Sequence, residues 1–349
     1  MKKILVIEIV ILALVLLTLG AGIVYFNFFA PPPEAPVTTL DPASTVAPTE
    51  APTTAPTEET LADEIPVPDW NGWDQIPEDR TINAQHYFVY DLQTGGFIAL
   101  SGTEDTRVYP ASITKLVTVL VALEYLDTGA MITAGAELDL LDPDSSLAYV
   151  SKGDTLSVAQ LVEGMLLPSG NDAAYVLAAA AGRKILGRQD ATASEAIAAF
   201  VKQMNRWAEA KGLAGSHFMN PDGIHNDNHY LTIGDLALLG KLSMESITVR
   251  YYAGLVDGCN PAYDALNTDP KAPKQWRNTN ALIRQDSSYY CPYAMGLKTG
   301  FTTKAGNCLL SAYSYNNRRY IIGVFGCTQS EYRFADSLQL FLYHIVQTQ

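Results

Sequence analysis

Residues 31–68 hold 10 prolines and 8 threonines, in repeats of the type APTEAPTTAPTEE, with almost no large apolar side chain. Such a stretch cannot bury a core, and each proline removes a backbone donor, so an extended, partly polyproline II tether is predicted. This divides the chain, and a packed core must be built from residues beyond about 81, a segment long enough to enclose one.

The charge follows the same division. The 349-residue chain carries a net charge of −14, yet residues 31–80 contribute 11 acids against one base, while 81–349 contain 25 acids and 20 bases. The acidity therefore belongs mostly to the tether and says nothing about a ligand. The absence of a basic excess argues against a nucleic-acid partner, which needs a cationic face.

Ahead of the tether, residues 4–29 form one apolar run broken only by Glu8 and Asn27 and preceded by Lys2 and Lys3. At ~1.5 Å per residue the run is long enough to cross ~30 Å of hydrocarbon, longer than the apolar region of a signal peptide, and no A-x-A site follows it. The lysines favour a cytoplasmic N-terminus. The expectation is an N-terminal transmembrane anchor over 1–30 (or a signal peptide), a linker over 31–80 and a globular domain over 81–349. That places the protein at the cell membrane as a single-pass protein with the domain outside, or secreted if the segment is cut.

From about Ala84 the pattern is globular. HYFVYDLQTGGFIALSG reads as a β-hairpin turning near Gln93–Gly96. Helical patterns lie near 112–127, 157–167 and 193–210, the last two opened by capping boxes at Ser157/Gln160 and Thr192/Glu195. The chain ends in strand patterns, AMGLKTG, GNCLLSAYSY and RYIIGVFGC. Strands at both ends with helices between them predict an α+β fold with one antiparallel sheet formed by both chain ends.

Three short patterns carry chemistry. Ser112-Ile113-Thr114-Lys115 opens an apolar helix, and helical neighbours three apart share a face, so Lys115 can reach the Ser112 hydroxyl and take its proton. Ser112 alone could equally be a helix N-cap. Ser169-Gly170-Asn171 sits in a turn between two helical patterns, where it can present a hydroxyl and an amide to a cleft or merely cap the Ala-rich helix that follows. Lys298-Thr299-Gly300 lies on a strand, with a cation suited to a carboxylate and a glycine that permits close approach, although an ordinary surface lysine has the same sequence.

In this order, and on these elements, the three patterns together resemble the penicillin-recognising serine enzymes. The match is best to the D-alanyl-D-alanine carboxypeptidases, the low-molecular-mass penicillin-binding proteins of peptidase family S11. It extends over roughly residues 84–345: YDLQTGGFIAL resembles the opening hairpin, SSLAYVSKGDTLSVAQLVEGMLLPSGNDAA the second-motif region, HFMNPDGIHNDNHYLTIGDLALLG the Asn-Pro-x-Gly segment, and WRNTNALI with MGLKTGFTTKAGNCLLSA the surroundings of the third motif.

The resemblance implies the penicillin-binding protein/serine β-lactamase fold, with a mostly helical subdomain beside the sheet. Ser112 would be the acylated nucleophile, Lys115 its base and Ser169 a proton relay to the leaving amine. Asn171 would bind the substrate amide or order Lys115, and Lys298 and Thr299 would hold a terminal carboxylate beside Gly300. The backbone N–H groups of Ser112 and Phe301 would form the oxyanion hole. The implied reaction removes the terminal D-alanine of peptidoglycan stem peptides through an acyl-enzyme, with β-lactams reacting at the same serine, and needs no cofactor or metal. Relatives commonly continue into a C-terminal β-rich domain and an amphipathic helix. This sequence ends at Gln349, so tethering is expected through the N-terminal run.

Two alternatives belong to other classes. A β-lactamase needs a further base for deacylation, and no Glu-x-x-x-Asn segment follows Asn171. A non-catalytic sensor or wall-binding protein acylated by β-lactams would normally need a cytoplasmic output module. His225 and His229, four apart in a loop pattern with no third ligand in view, do not predict a zinc site. Among Cys259, Cys291, Cys308 and Cys327, a hairpin turn at Asn317-Arg318 would set Cys308 opposite Cys327, whereas a turn at Asn316-Asn317 would leave buried free thiols.

Overall fold

The computed structural model describes residues 81–261 and 271–348. The expected anchor and linker, 1–30 and 31–80, lie outside the described residues. The expected single-pass placement at the cell membrane is corrected: among the described residues no helix is long and apolar enough to cross a membrane. The localisation and the membrane partner rested on the run at 4–29, outside the described residues.

Five strands form one sheet: β1 (His86–Asp91), β2 (Gly96–Leu100), β3 (Ala294–Thr302), β4 (Gly306–Tyr315) and β5 (Arg318–Cys327), in the order β2-β1-β5-β4-β3. All neighbours are antiparallel, with Tyr90 opposite Ile321 and Leu310 opposite Lys298. The first and last strands of the chain thus pair at the centre, as the strand-helix-strand pattern predicts. Strand β3, with its Lys-Thr-Gly, lies at an open edge.

Among the described residues, seven α-helices accompany the sheet: α1 (Thr114–Ala122), α2 (Val158–Leu166), α3 (Asn171–Leu186), α4 (Ala193–Lys211), α5 (Ile233–Glu245), α6 (Ile247–Gly254) and α7 (Tyr332–Phe341). Both expected capping boxes are present, Ser157 with Gln160 and Thr192 with Glu195. The α+β class, with one antiparallel sheet formed by both chain ends, is therefore as expected.

Both faces of the sheet are covered. Ile321, Leu310, Phe88 and Phe325 pack with Leu116, Val117 and Leu236 on one side, and Ile322, Leu309 and Tyr313 pack with Phe334, Leu338 and Phe341 on the other. Two-sided burial explains why these strands read as continuous apolar runs rather than alternations. Strands β4 and β5 turn at Asn316-Asn317, both with left-handed φ (49° and 59°), as a two-residue hairpin turn requires. Across a bulge, Cys327 then pairs with Asn307, and Cys308 and Cys327 enter different apolar clusters. All four cysteines are free.

The helical layer is close-packed where α3 crosses α4. A Cβ placed on Gly182 would sit 2.0 Å from the Ala196 carbonyl oxygen and 2.6 Å from its carbon. Because backbone rather than a flexible side chain is in the way, Gly182→Ala should force the helices apart and destabilise the fold by about 2 kcal/mol or more, seen as a lower midpoint in thermal unfolding. An unchanged midpoint would mean that the crossing is looser than described.

Candidate active site

The nucleophile motif begins with a sharp turn. Ala111 takes a left-handed φ of 49°, residues Ala111–Ile113 form a 3-10 turn, and α1 starts only at Thr114. Neither the 3-10 turn nor α1 has a side-chain cap, so Ser112 is not the N-cap that it could have been by sequence alone. Its hydroxyl lies 2.7 Å from Lys115 Nζ, one turn on.

Lys115 is 0% exposed, and its Nζ has two further partners, Asn171 Oδ1 at 2.7 Å and the Asp222 carbonyl oxygen at 3.0 Å. Burial lowers its pKa to about 8, opposed by the charges of Asp222 and Asp172. A neutral amine has two N–H donors and one lone pair. Two carbonyl oxygens occupy the donors, which leaves the lone pair facing the Ser112 hydroxyl.

Asn171 is the first residue of α3, whose N-cap is Gly170 without a side-chain bond. Neither Ser169 nor Asn171 is a cap. The Asn171 amide is already committed, Oδ1 to Lys115 and Nδ2 donating to Ser145 Oγ at 3.0 Å, so it orders the lysine. Ser169 has a left-handed φ of 69°, and its carbonyl accepts from Ser146 Oγ at 2.6 Å. Behind this turn, the buried Asp172 carboxylate accepts from the N–H groups of Ala148, Val150 and Ala173 at 2.8–2.9 Å, pinning the 142–150 loop to the site.

The third partner of Lys115 comes from the Asn220-Pro221-Asp222-Gly223 turn. Asn220 brackets it, Oδ1 accepting from Gly223 N–H and Nδ2 donating to the Ile224 carbonyl, each at 2.8 Å. Gly223 has a φ of 88°, and a Cβ there would lie 1.9 Å from the Ala111 carbonyl oxygen. Thr118 Oγ1 donates to the Pro221 carbonyl at 2.6 Å. His229 is a second brace: its Nδ1 accepts from Met219 N–H, so its proton sits on Nε2 and is donated to Thr114 Oγ1 at 2.9 Å. Burial pushes its pKa down to about 3, which keeps the ring neutral. His225 instead faces Asp227 at 3.1 Å. Among the described residues, no group of three or more His, Cys, Asp or Glu side chains could hold a metal ion.

A cleft of about 250 Å³ opens beside these groups. Ser112, Ser169, Asn171, Thr299, Gly300 and Phe301 line it, so the structure brings all three motifs together. A Cβ on Gly300 would meet the Pro110 carbonyl at 2.8 Å and Ser112 N at 3.1 Å, which explains why glycine stands there. Phe301 is 60% exposed at the rim. Lys298 differs from expectation: it is 1% exposed, lies behind the lining, and its Nζ donates to the Thr299 carbonyl at 3.0 Å. Burial, together with the charges of Lys115 and Arg333, pushes its pKa well down.

Residues that sequence reading did not single out complete the cleft: Asp144, Ser146, Asp222, Ile224, Thr279 and Arg333. Thr279 Oγ1 lies 2.6 Å from Thr299 Oγ1, and Arg333 on α7 donates to the Gly300 carbonyl at 3.2 Å. The Asn-Pro-Asp-Gly turn itself was the only local signal for Asp222. Arg333 had none, lying 33 positions beyond Gly300, whose carbonyl it contacts.

Comparison with known proteins gives one consistent result. A family model described as D-alanyl-D-alanine carboxypeptidase, peptidase family S11, matches residues 74–329. The D-alanyl-D-alanine carboxypeptidase DacF of Bacillus subtilis is 29% identical over 69% of this chain and 57% of its own length, and DacA of Haemophilus influenzae is 30% identical over 74% and 61%. This chain thus spans about three fifths of these curated relatives. Among solved structures, the Streptomyces K15 DD-transpeptidase aligns with a TM-score of 0.65 and 30% identity, covering 76% of this chain and 98% of its own. The D-alanyl-D-alanine carboxypeptidase DacD of Francisella tularensis aligns at 0.60 and 28%, covering 82% and 74%.

Proposed function

The chain belongs to the D-alanyl-D-alanine carboxypeptidase family S11, and from that premise we propose that residues 81–349 are a serine D,D-carboxypeptidase domain that removes the terminal D-alanine of peptidoglycan stem peptides. The observation that carries this reading is the triple contact at Lys115 Nζ, with Ser112 Oγ, Asn171 Oδ1 and the Asp222 carbonyl all within 3.0 Å. That arrangement holds a buried amine with its lone pair aimed at one hydroxyl.

The peptide lies along the open edge of β3, whose unpaired backbone groups can add a substrate strand. Ser112 Oγ attacks the carbonyl carbon between the two D-alanines while its proton passes to Lys115. The oxyanion is held by the N–H groups of Ser112 and Phe301. Ser169 relays the proton to the leaving amine, the C–N bond breaks and D-alanine departs. Water then hydrolyses the Ser112 ester. The terminal carboxylate is held by Thr299 and Arg333, with Lys298 bracing Thr299 from beneath by donating to its carbonyl. β-Lactams enter at the same serine and leave slowly.

Lys298→Ala should slow acylation by carboxylate-bearing penicillins by up to about tenfold, since the lost hydrogen bond beneath Thr299 contributes roughly 0.5–1.5 kcal/mol. Stopped-flow or mass-resolved adduct formation measures this, and an unchanged acylation rate would remove Lys298 from the carboxylate site.

A further inference from the structure

The charges that line the cleft are segregated by element. The lining cation, Arg333, belongs to α7, with the buried Lys298 of β3 behind the lining. The carboxylates, Asp144 and Asp222, come from the 142–150 loop and the 220–224 turn. Asp142 lies close enough to act on Asp222 by charge. None of these three carboxylates forms an ion pair among the described residues. The one ammonium that acts on Asp222, Lys115, has to be neutral when Ser112 attacks.

Asp222 is the telling member. It is 1% exposed and lines the cleft. Its Oδ1 accepts only a long bond from Ile224 N–H at 3.3 Å, and its Oδ2 has no partner. Asp172, equally buried, satisfies its carboxylate with three backbone donors, so burial alone does not account for the difference. A buried carboxylate oxygen without a donor is costly, and it is retained most readily where a ligand supplies the donor. Asp144 lines the same cleft, its N–H donating to Asp142 Oδ1 at 2.9 Å, on a loop fixed by Asp172.

We propose that Asp144 and Asp222, backed by Asp142, form a subsite for a protonated amine on the acyl side of the peptide, so that donors with a free side-chain ammonium before the D-alanine pair are preferred. The inference rests on the carboxypeptidase reading and names its substrate class: a peptide anionic at the departing end and cationic on the retained part. The Tyr175 hydroxyl, within the field of both Asp222 and Asp142, stays protonated and adds no charge of its own.

The test compares two donors on the full chain, Nα-acetyl-Lys-D-Ala-D-Ala and its Nα,Nε-diacetyl counterpart, by kcat/KM for D-alanine release. The free amine should be favoured by roughly five- to tenfold, with the preference shrinking as ionic strength rises. The ratio should fall toward one in Asp222→Asn and, separately, in the exposed-site variant Asp144→Asn. Because the ratio compares two donors within one variant, any effect of Asp222→Asn on Lys115 cancels. A wild-type ratio of one, or a preference that survives in both variants, overturns the subsite. Release from neither donor overturns the carboxypeptidase reading, and the subsite with it.

Discussion

Ser112→Ala should abolish covalent labelling by penicillin, a loss of at least about 10⁴-fold, while the domain stays folded. The hydroxyl is the one acceptor of the acyl group in the proposed mechanism, and no general base can substitute for a missing nucleophile. The side chain is only partly buried and its loss removes a single contact, that with Lys115 Nζ. Stability should therefore change by less than about 1 kcal/mol. Intact-mass spectrometry with a thermal melt of the same sample measures both quantities. An adduct mapped to another residue would show that the nucleophile lies elsewhere.

The second large effect concerns Lys115. Burial brings its pKa to about 8. Attack requires the neutral amine, whose fraction grows with pH, so acylation should rise through pH ~8 and level off above it. At pH 6 only about one molecule in a hundred carries the neutral form, which sets the depth of the acid limb. Lys115→Ala should lower acylation by about 10²–10⁴-fold and erase the limb centred near 8. A variant that keeps the wild-type pH profile at reduced amplitude would mean that another group accepts the proton.

What could be read in the sequence was what chemistry enforces locally. The Ser157/Gln160 and Thr192/Glu195 capping boxes are three-residue devices and appear as expected, with α4 running Ala193–Lys211 against an expected 193–210. Ser112 and Lys115 were legible for the same reason, since a helical turn sets their distance. The first helix, Thr114–Ala122, is shorter than its apolar pattern near 112–127 at both ends: the left-handed Ala111 and a 3-10 turn delay its start, and the chain leaves the helix in a turn at 123–125.

Long-range relations were not legible. Nothing local ties Asp222 to Lys115 across 107 positions or Arg333 to Gly300 across 33. Nor does a triplet reveal depth: Lys298 reads as a cation for solvent or substrate and is instead buried beneath the site. Asn171 could have been a cap, a substrate ligand or a brace for Lys115, and only the fold decides that its amide oxygen is taken by the lysine. The cysteine question turned on one residue of hairpin register, which the paired left-handed asparagines settle.

The most direct measurement of the central claim is D-alanine release from a stem pentapeptide ending in D-Ala-D-Ala, catalysed by the full chain, with Ser112→Ala run in parallel. The account predicts one D-alanine per peptide, released repeatedly by the wild type and not by the variant. A folded wild-type protein that forms a stable penicillin adduct at Ser112 yet releases no D-alanine would contradict it, leaving a β-lactam-acylated protein without carboxypeptidase activity.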